Sequence, residues 1–143
     1  MKESLYNHDF YAWLNHNTQA LKQRRLEQVD IDNLVEELES MGRSEKRQLL
    51  SRLSILIAHL LKWEYQPSMR SRSWELTIKV QRKRLLRLLS ESPSLKSFIE
   101  GGLEQAYEDG VTMAAEETGL AEEQFNTTPR SLKEYLDLEY LPN

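Results

Sequence analysis

The segment from Leu53 to Trp63 constrains the fold more than any other part of the chain. Its sequence, LSILIAHLLKW, contains only three polar residues, at Ser54, His59 and Lys62. A helix that is apolar nearly all round is buried on several sides. The near-apolar part, LSILIAHLL, is too short to cross a bilayer, which requires about 20 residues. We therefore predict that this segment is the buried central helix of a helical bundle.

The remaining apolar residues recur at spacings of three and four, and no segment alternates as a half-exposed β-strand does. We expect an all-α fold in one domain, residues 1–143. This fold is an up-and-down helical bundle of four to five main helices with a central buried helix and a short C-terminal helix. The predicted helices lie at about 9–26, 31–41 and 44–64, with a fourth starting after Ser73, a fifth from Pro93 to about Glu117 and a last one from Ser131.

Short polar residues and glycines mark the predicted helix ends. Ser73 is a suitable N-cap for the fourth helix, and Ser131 with Glu134 forms a capping box for the last one. Gly119 is the expected C-cap of the fifth helix. Gly42 begins the stretch GRSEKRQ, which has no apolar residue. The pattern leaves open whether this stretch is a turn, a kink or an exposed part of one long helix.

Composition favours a cytoplasmic protein. The chain has no cysteine, which excludes disulfides, thiolate nucleophiles and cysteine-ligated metal sites. Its start, MKESLYNHDFYAWL, lacks the basic and apolar regions of a signal peptide. We expect no membrane association, and the net charge of −4 gives no reason to expect bulk nucleic-acid binding.

The stretch HLLKWEYQPSMRSRSW, residues 59–74, is the candidate site for a small anionic ligand. Arginines next to free backbone N–H groups at a helix N-terminus suit a carboxylate or phosphate. Two tryptophans flank the turn and are expected to wall a pocket. The candidate site residues are Glu36, Glu37, His59, Trp63, Arg70, Arg72 and Trp74.

Two interpretations of this corner stay open. In an enzyme or ligand binder, Arg70 and Arg72 would hold the anionic group while His59 or Glu37 serves as acid or base. In a structural corner, one of the arginines pairs with an acid of the second helix, Glu36, Glu37 or Glu39, and locks the two helices together.

Metal and cofactor sites are not expected. The three histidines, His8, His16 and His59, show no spacing that would bring them together. Di-iron sites of helical bundles need a Glu-x-x-His pair, and the sequence has none. There is also no phosphate-binding loop, dinucleotide fingerprint or nucleophile elbow.

Several motifs, in order, resemble a known family. They are DFYAWL, NLVEELESMGRSEKRQLLSRL, HLLKWEYQP, RSRSW, SPSL and EETGL. Together they resemble the bacterial domain-of-unknown-function family twenty-nine along essentially the whole chain. The resemblance implies a small all-helical bacterial protein and supplies no catalytic residues. This chain departs from the family pattern at Arg24, where glycine is usual, and at Asn126, where proline is usual.

We favour a protein-interaction or regulatory module that binds a protein partner or a second copy of itself. Tyrosine and tryptophan are favoured at interfaces. The aromatic residues expected on the surface are Tyr6, Tyr11, Trp13, Tyr65, Tyr135 and Tyr140. The first alternative is the enzyme or small anionic-ligand binder described above. The second is nucleic-acid binding through KVQRKRLLR of the basic fourth helix, which the acidic balance of the chain disfavours.

Overall fold

The structure is a computed structural model that describes residues 4–125 and 128–143, so Asn126 lies outside the described residues. Within these residues every regular element is helical, which confirms the all-α class. The α-helices are α1 (Leu5–His8), α2 (Phe10–Lys22), α3 (Ile31–Tyr65), α4 (Arg72–Glu91), α5 (Lys96–Gly101), α6 (Leu103–Thr118) and α7 (Leu132–Leu136).

The chain forms two compact units, Met1–Ser44 and Glu45–Asn143. In the first unit, hydrogen bonds made by polar side chains hold α2 beside the start of α3. Trp13 is only 2% exposed, and its Nε1 donates to the Asp30 carboxylate at 2.9 Å. The Asn17 amide oxygen accepts from the Asp30 backbone N–H at 2.7 Å. The hydrogen bonds that the Asp30 carboxylate accepts from Asn33 and from Trp13 lower the pKa of Asp30 below its ordinary value.

The second half of α3 is the centre of the second unit, as the apolar run predicts. Burial of a leucine or isoleucine side chain contributes about 1.5–3 kcal/mol, so this helix supplies much of the folding free energy of the unit. Helices α4, α6 and α7 cover it with buried side chains of their own. The core includes Leu49, Leu53, Leu56, Ile57, Leu60, Ile78, Leu85, Ile99, Ala106, Ala114 and Tyr135.

Helix α3 is continuous through Gly42, so the predicted second and third helices are one helix of 35 residues. A glycine in a helix costs only about 1 kcal/mol relative to alanine. The flanking arginine, glutamate, lysine and glutamine residues have high helix propensity and offset that cost. The predicted fifth helix, in contrast, is divided, because α5 ends at Gly101 and α6 starts after Gly102.

The prediction that Ser73 caps the fourth helix is wrong by two residues. Ser71 is the N-cap, and its hydroxyl accepts from the Trp74 backbone N–H at 3.2 Å. Both serines have the required side chain, but only Ser71 has the extended backbone of a cap. Ser73 lies within the first turn of α4.

Two other predicted helix ends are confirmed. Gly119 ends α6 in the left-handed conformation, with φ of 77°. Ser131 caps α7, and its hydroxyl accepts from the Glu134 backbone N–H at 3.2 Å.

Helix α2 is also followed by a residue in the left-handed conformation, but this residue is not a glycine. Arg24 has φ of 58°, its N–H bonds to the Leu21 carbonyl, and the Arg25 N–H bonds to the Ala20 carbonyl. This pair of bonds is a Schellman motif, in which the left-handed position favours glycine.

Candidate functional site

The predicted corner of residues 59–74 contains Arg70 bound to the end of α3. Its Nε donates to the Trp63 carbonyl at 2.8 Å, and its guanidinium lies 5.0 Å from the centre of the Trp63 ring. The last carbonyls of a helix have no partner within the helix. Arg70 satisfies one of them and stacks on the ring of the same residue.

Lys62 is the buried cation of this corner, at 5% exposure. Its ammonium forms an ion pair with Glu117 on α6 and lies 5.0 Å from the centre of the Trp74 ring on α4. It is also 3.4 Å from His59 Nε2. One side chain therefore joins three helices of the second unit. A buried charge is stable only with such partners.

His59 has a partner at each ring nitrogen. Nδ1 is 2.9 Å from the Ile55 carbonyl, so it carries the proton, and Nε2 accepts from Lys62. Burial lowers the pKa of His59, and the charge of Lys62 lowers it further. The imidazole is therefore neutral at pH 7, with both nitrogens already hydrogen-bonded.

The other predicted site residues lie elsewhere or face solvent. In the first unit, Glu36 pairs with Arg43 at 3.1 Å, and Glu37 accepts a hydrogen bond from the Tyr6 hydroxyl. Arg72 is exposed at the start of α4. The structure thus brings His59, Trp63, Arg70 and Trp74 to one corner of the second unit. The seven-residue site itself stays a prediction.

The first unit exposes an apolar surface on α3 that we call the α3 apolar face, formed by Ile31, Val35, Leu38 and Met41. Ile31 is 56% exposed, Leu38 59% and Met41 64%. Their spacing of three and four places them on consecutive turns of the same side of the helix. The amphipathic pattern was visible in the sequence, but the structure leaves the apolar side uncovered.

Acidic side chains border the α3 apolar face. Asp32, Glu36 and Glu39 lie on the same helix segment, and Arg43 is the base that faces them. Arg43 reaches Glu36 at 3.1 Å and Glu39 at 3.9 Å, so its charge is used within the chain. The border retains net negative charge.

The predicted surface aromatics are mostly not on the surface. Tyr11 is exposed, whereas Trp13 and Tyr135 are buried, which contradicts the prediction for those two. The half-buried ones are Tyr6, Tyr65 and Tyr140. Aromatic side chains in the first unit pack on each other, since Trp13 stacks on Phe10 with ring centres 5.4 Å apart. Most of these aromatic residues therefore contribute to packing within the chain and not to an exposed interface.

Arg82 on α4 is a buried cation that the sequence reasoning missed. It is 1% exposed, and its Nε donates to the Tyr135 carbonyl on α7 at 2.7 Å. Its Nη2 is buried and has no hydrogen-bond partner among the described residues. An unsatisfied buried donor costs about 1–3 kcal/mol. The signal was its spacing from Ile78 and Leu85, which places it on the inner face of α4.

Arg82 also lines a cavity of about 310 Å³ in the second unit. Ligand pockets usually measure about 300–1,000 Å³, so the cavity is at the small end of that range. Its lining residues are Glu75, Ile78, Lys79, Arg82, Lys83, Leu138, Glu139 and Leu141. Burial of Arg82 removes one charge from the basic run on which the nucleic-acid alternative depends.

Among residues 4–125 and 128–143, no three histidine, cysteine or acidic side chains gather as metal ligands would. No helix in the same described part of the chain has both the length and the apolar character to span a membrane.

The helical elements of the described residues define the class of the protein as all-α. The family model of Domain of unknown function DUF29 matches residues 5–141, so the chain belongs to that family. No curated protein and no solved structure matches the chain.

Proposed function

We propose that the protein is an interaction module whose first unit binds an amphipathic helix of a partner protein. The α3 apolar face carries this proposal, because large apolar side chains stand exposed on consecutive turns. Soluble monomers rarely expose contiguous apolar patches of large area unless the patch is functional. Helices bind one another through anchors spaced by three, four and seven residues, as Ile31, Val35 and Leu38 are.

The acidic border selects the kind of partner. Two copies of this face would bring Asp32, Glu36 and Glu39 of each chain close together, and juxtaposed like charges oppose association. A partner helix with lysine or arginine beside its apolar stripe would instead meet opposite charge. We therefore assign the face to a partner helix with basic margins, in preference to a second copy of the chain.

The binding is expected to be reversible and moderate in strength. Each anchor is already partly covered, so burial of its exposed half contributes about 1 kcal/mol. The rim charges contribute mainly to the association rate and to its dependence on salt. Such an interface suits a regulated partner better than a permanent complex.

Fluorescence anisotropy with two synthetic helical peptides tests the proposal. Both peptides carry the same leucine stripe, one with lysine margins and one with glutamate margins. The full chain should bind the lysine peptide, with affinity falling as salt increases, and should bind the glutamate peptide at least about tenfold more weakly. Equal binding of both peptides, or of neither, would contradict the proposal.

A matched pair of variants locates the binding surface. Leu38→Glu places a charge on the α3 apolar face and should abolish binding of the lysine peptide. Leu76→Glu makes the same change at another exposed leucine, 45% exposed on α4, and should leave binding unchanged. Self-association in the absence of peptide, lost in Leu38→Glu, would identify the occupant as a second copy and overturn the partner assignment.

A further inference from the structure

We propose that the cavity beside Arg82 binds a small monocarboxylate with a short apolar body. This site is separate from the α3 apolar face and does not depend on the proposed interaction. It lies entirely in the second unit, between α4 and the segment that follows α7. No residue of the predicted corner lines it.

The unused donor of Arg82 is the first argument. The guanidinium is held in place because its Nε donates to the Tyr135 carbonyl at 2.7 Å and its Cζ lies 5.7 Å from the centre of the Tyr140 ring. Its Nη2 remains without a partner among the described residues. A fixed arginine with a free donor is suited to a carboxylate oxygen, which accepts along the guanidinium edge.

The charge of the lining is the second argument. Three lining side chains, Lys79, Arg82 and Lys83, are cationic, and two, Glu75 and Glu139, are carboxylates. The lining thus carries one net positive charge, which one carboxylate neutralises. A phosphate ester would bring a second negative charge toward the two glutamates.

The apolar wall is the third argument. Ile78, Leu138 and Leu141 line the same cavity, and the two leucines are 51% and 38% exposed, respectively. A ligand with a short hydrocarbon chain would cover these leucines while its carboxylate approaches the buried guanidinium of Arg82. The volume of about 310 Å³ is sufficient for a branched acid of about six carbons.

Isothermal titration calorimetry of the full chain with sodium 4-methylpentanoate tests the site, with neutral 4-methylpentanamide as the matched ligand. The acid should bind in the millimolar range or tighter, and the amide at least about tenfold more weakly. Absence of binding by the acid, or equal binding by the amide, would overturn the proposal.

Variants separate this site from general charge effects. Lys79→Gln with Lys83→Gln should weaken binding several-fold, whereas Arg84→Gln with Arg87→Gln, the same charge change at exposed positions of α4 outside the cavity lining, should not. Arg82→Lys should abolish binding. If that variant fails to fold, Leu138→Glu tests the site instead. It adds a carboxylate at an exposed lining position, which should repel the ligand carboxylate and weaken binding. Unchanged binding in Leu138→Glu, or equal weakening by the Arg84 and Arg87 changes, would exclude this cavity.

Discussion

Lys62 on α3 forms an ion pair with Glu117 on α6, although the lysine is buried and the side chain of the glutamate is about half exposed. The sequence shows a lysine within an apolar helix and a strongly acidic later segment, but not which acid it meets. The pairing explains how a cation is accommodated in the centre of the second unit.

Replacing Glu117 should therefore destabilise the protein. Glu117→Gln leaves the buried Lys62 ammonium without its charged partner and should lower the free energy of unfolding by about 1–2 kcal/mol. The matched control is Glu116→Gln, an exposed neighbour on the same helix, which should change it by less than about 0.5 kcal/mol. Urea denaturation measures both. An equal loss in the two variants would show that the pair contributes nothing specific.

Gly110 and Gly42 should respond in opposite ways to alanine. A Cβ at Gly110 would lie 2.8 Å from Ile57 Cγ2 and 3.1 Å from the Ser54 carbonyl oxygen, so Gly110→Ala should cost about 1–3 kcal/mol. A Cβ at Gly42 meets nothing within 4 Å. Gly42→Ala should stabilise the continuous α3 by up to about 1 kcal/mol. Thermal melts compare the two, and a destabilised Gly42→Ala would argue against an uninterrupted helix.

Glycine at position 24 should make the protein more stable than arginine does. The residue has φ of 58°, a conformation that costs an ordinary residue about 1–2 kcal/mol. Part of the gain is lost because glycine gives the unfolded chain more freedom. Arg24→Gly should raise the free energy of unfolding by about 0.5–1 kcal/mol, measured by urea denaturation. Arg24→Ala keeps the strain and should not; a gain of the same size with alanine would mean that the arginine side chain, not its backbone, is unfavourable.

His59 should make stability depend on pH. Burial lowers its folded-state pKa below the ordinary 6.5, so the unfolded chain binds the proton more tightly. The free energy of unfolding should be highest above pH 6.5 and should fall as pH drops from 6.5 toward the folded-state pKa. Denaturation curves between pH 7.5 and about 5 measure this dependence.

The control for this dependence is a pair of histidine variants. His59→Gln should flatten the curve in that interval. His16→Gln, at an exposed position of α2, should leave the wild-type slope intact. A wild-type slope retained in His59→Gln would assign the dependence to other groups.

The sequence predicted features that depend on local chemistry. The apolar run of the central helix, the glycine that ends α6 and the serine that caps α7 each carry their signal within a few residues. The predicted start of α4 is wrong by two residues, because Ser71 and Ser73 have the same side chain and only the backbone conformation distinguishes them. The sequence does not decide whether Gly42 interrupts the helix, since its effect depends on the helix-forming residues around it.

The candidate sites were less predictable, because they depend on contacts between distant segments. Arg82 belongs to a basic run that the sequence alone suggests is solvent-exposed. In the structure it is buried and binds the Tyr135 carbonyl of α7. Trp13 looked like an interface residue, yet Asp30 binds its ring nitrogen. The apolar positions from Ile31 to Met41 were visible, but their exposure was not, since an amphipathic pattern does not identify what covers it.

The central claim is that the α3 apolar face binds a partner helix with basic margins. Amide chemical shifts of the isotope-labelled chain, recorded while the lysine-margined peptide is added, test it most directly. We predict that the largest shifts fall between Ile31 and Met41 and are lost in Leu38→Glu. Shifts centred on α4, or none at concentrations where anisotropy detects binding, would contradict the claim.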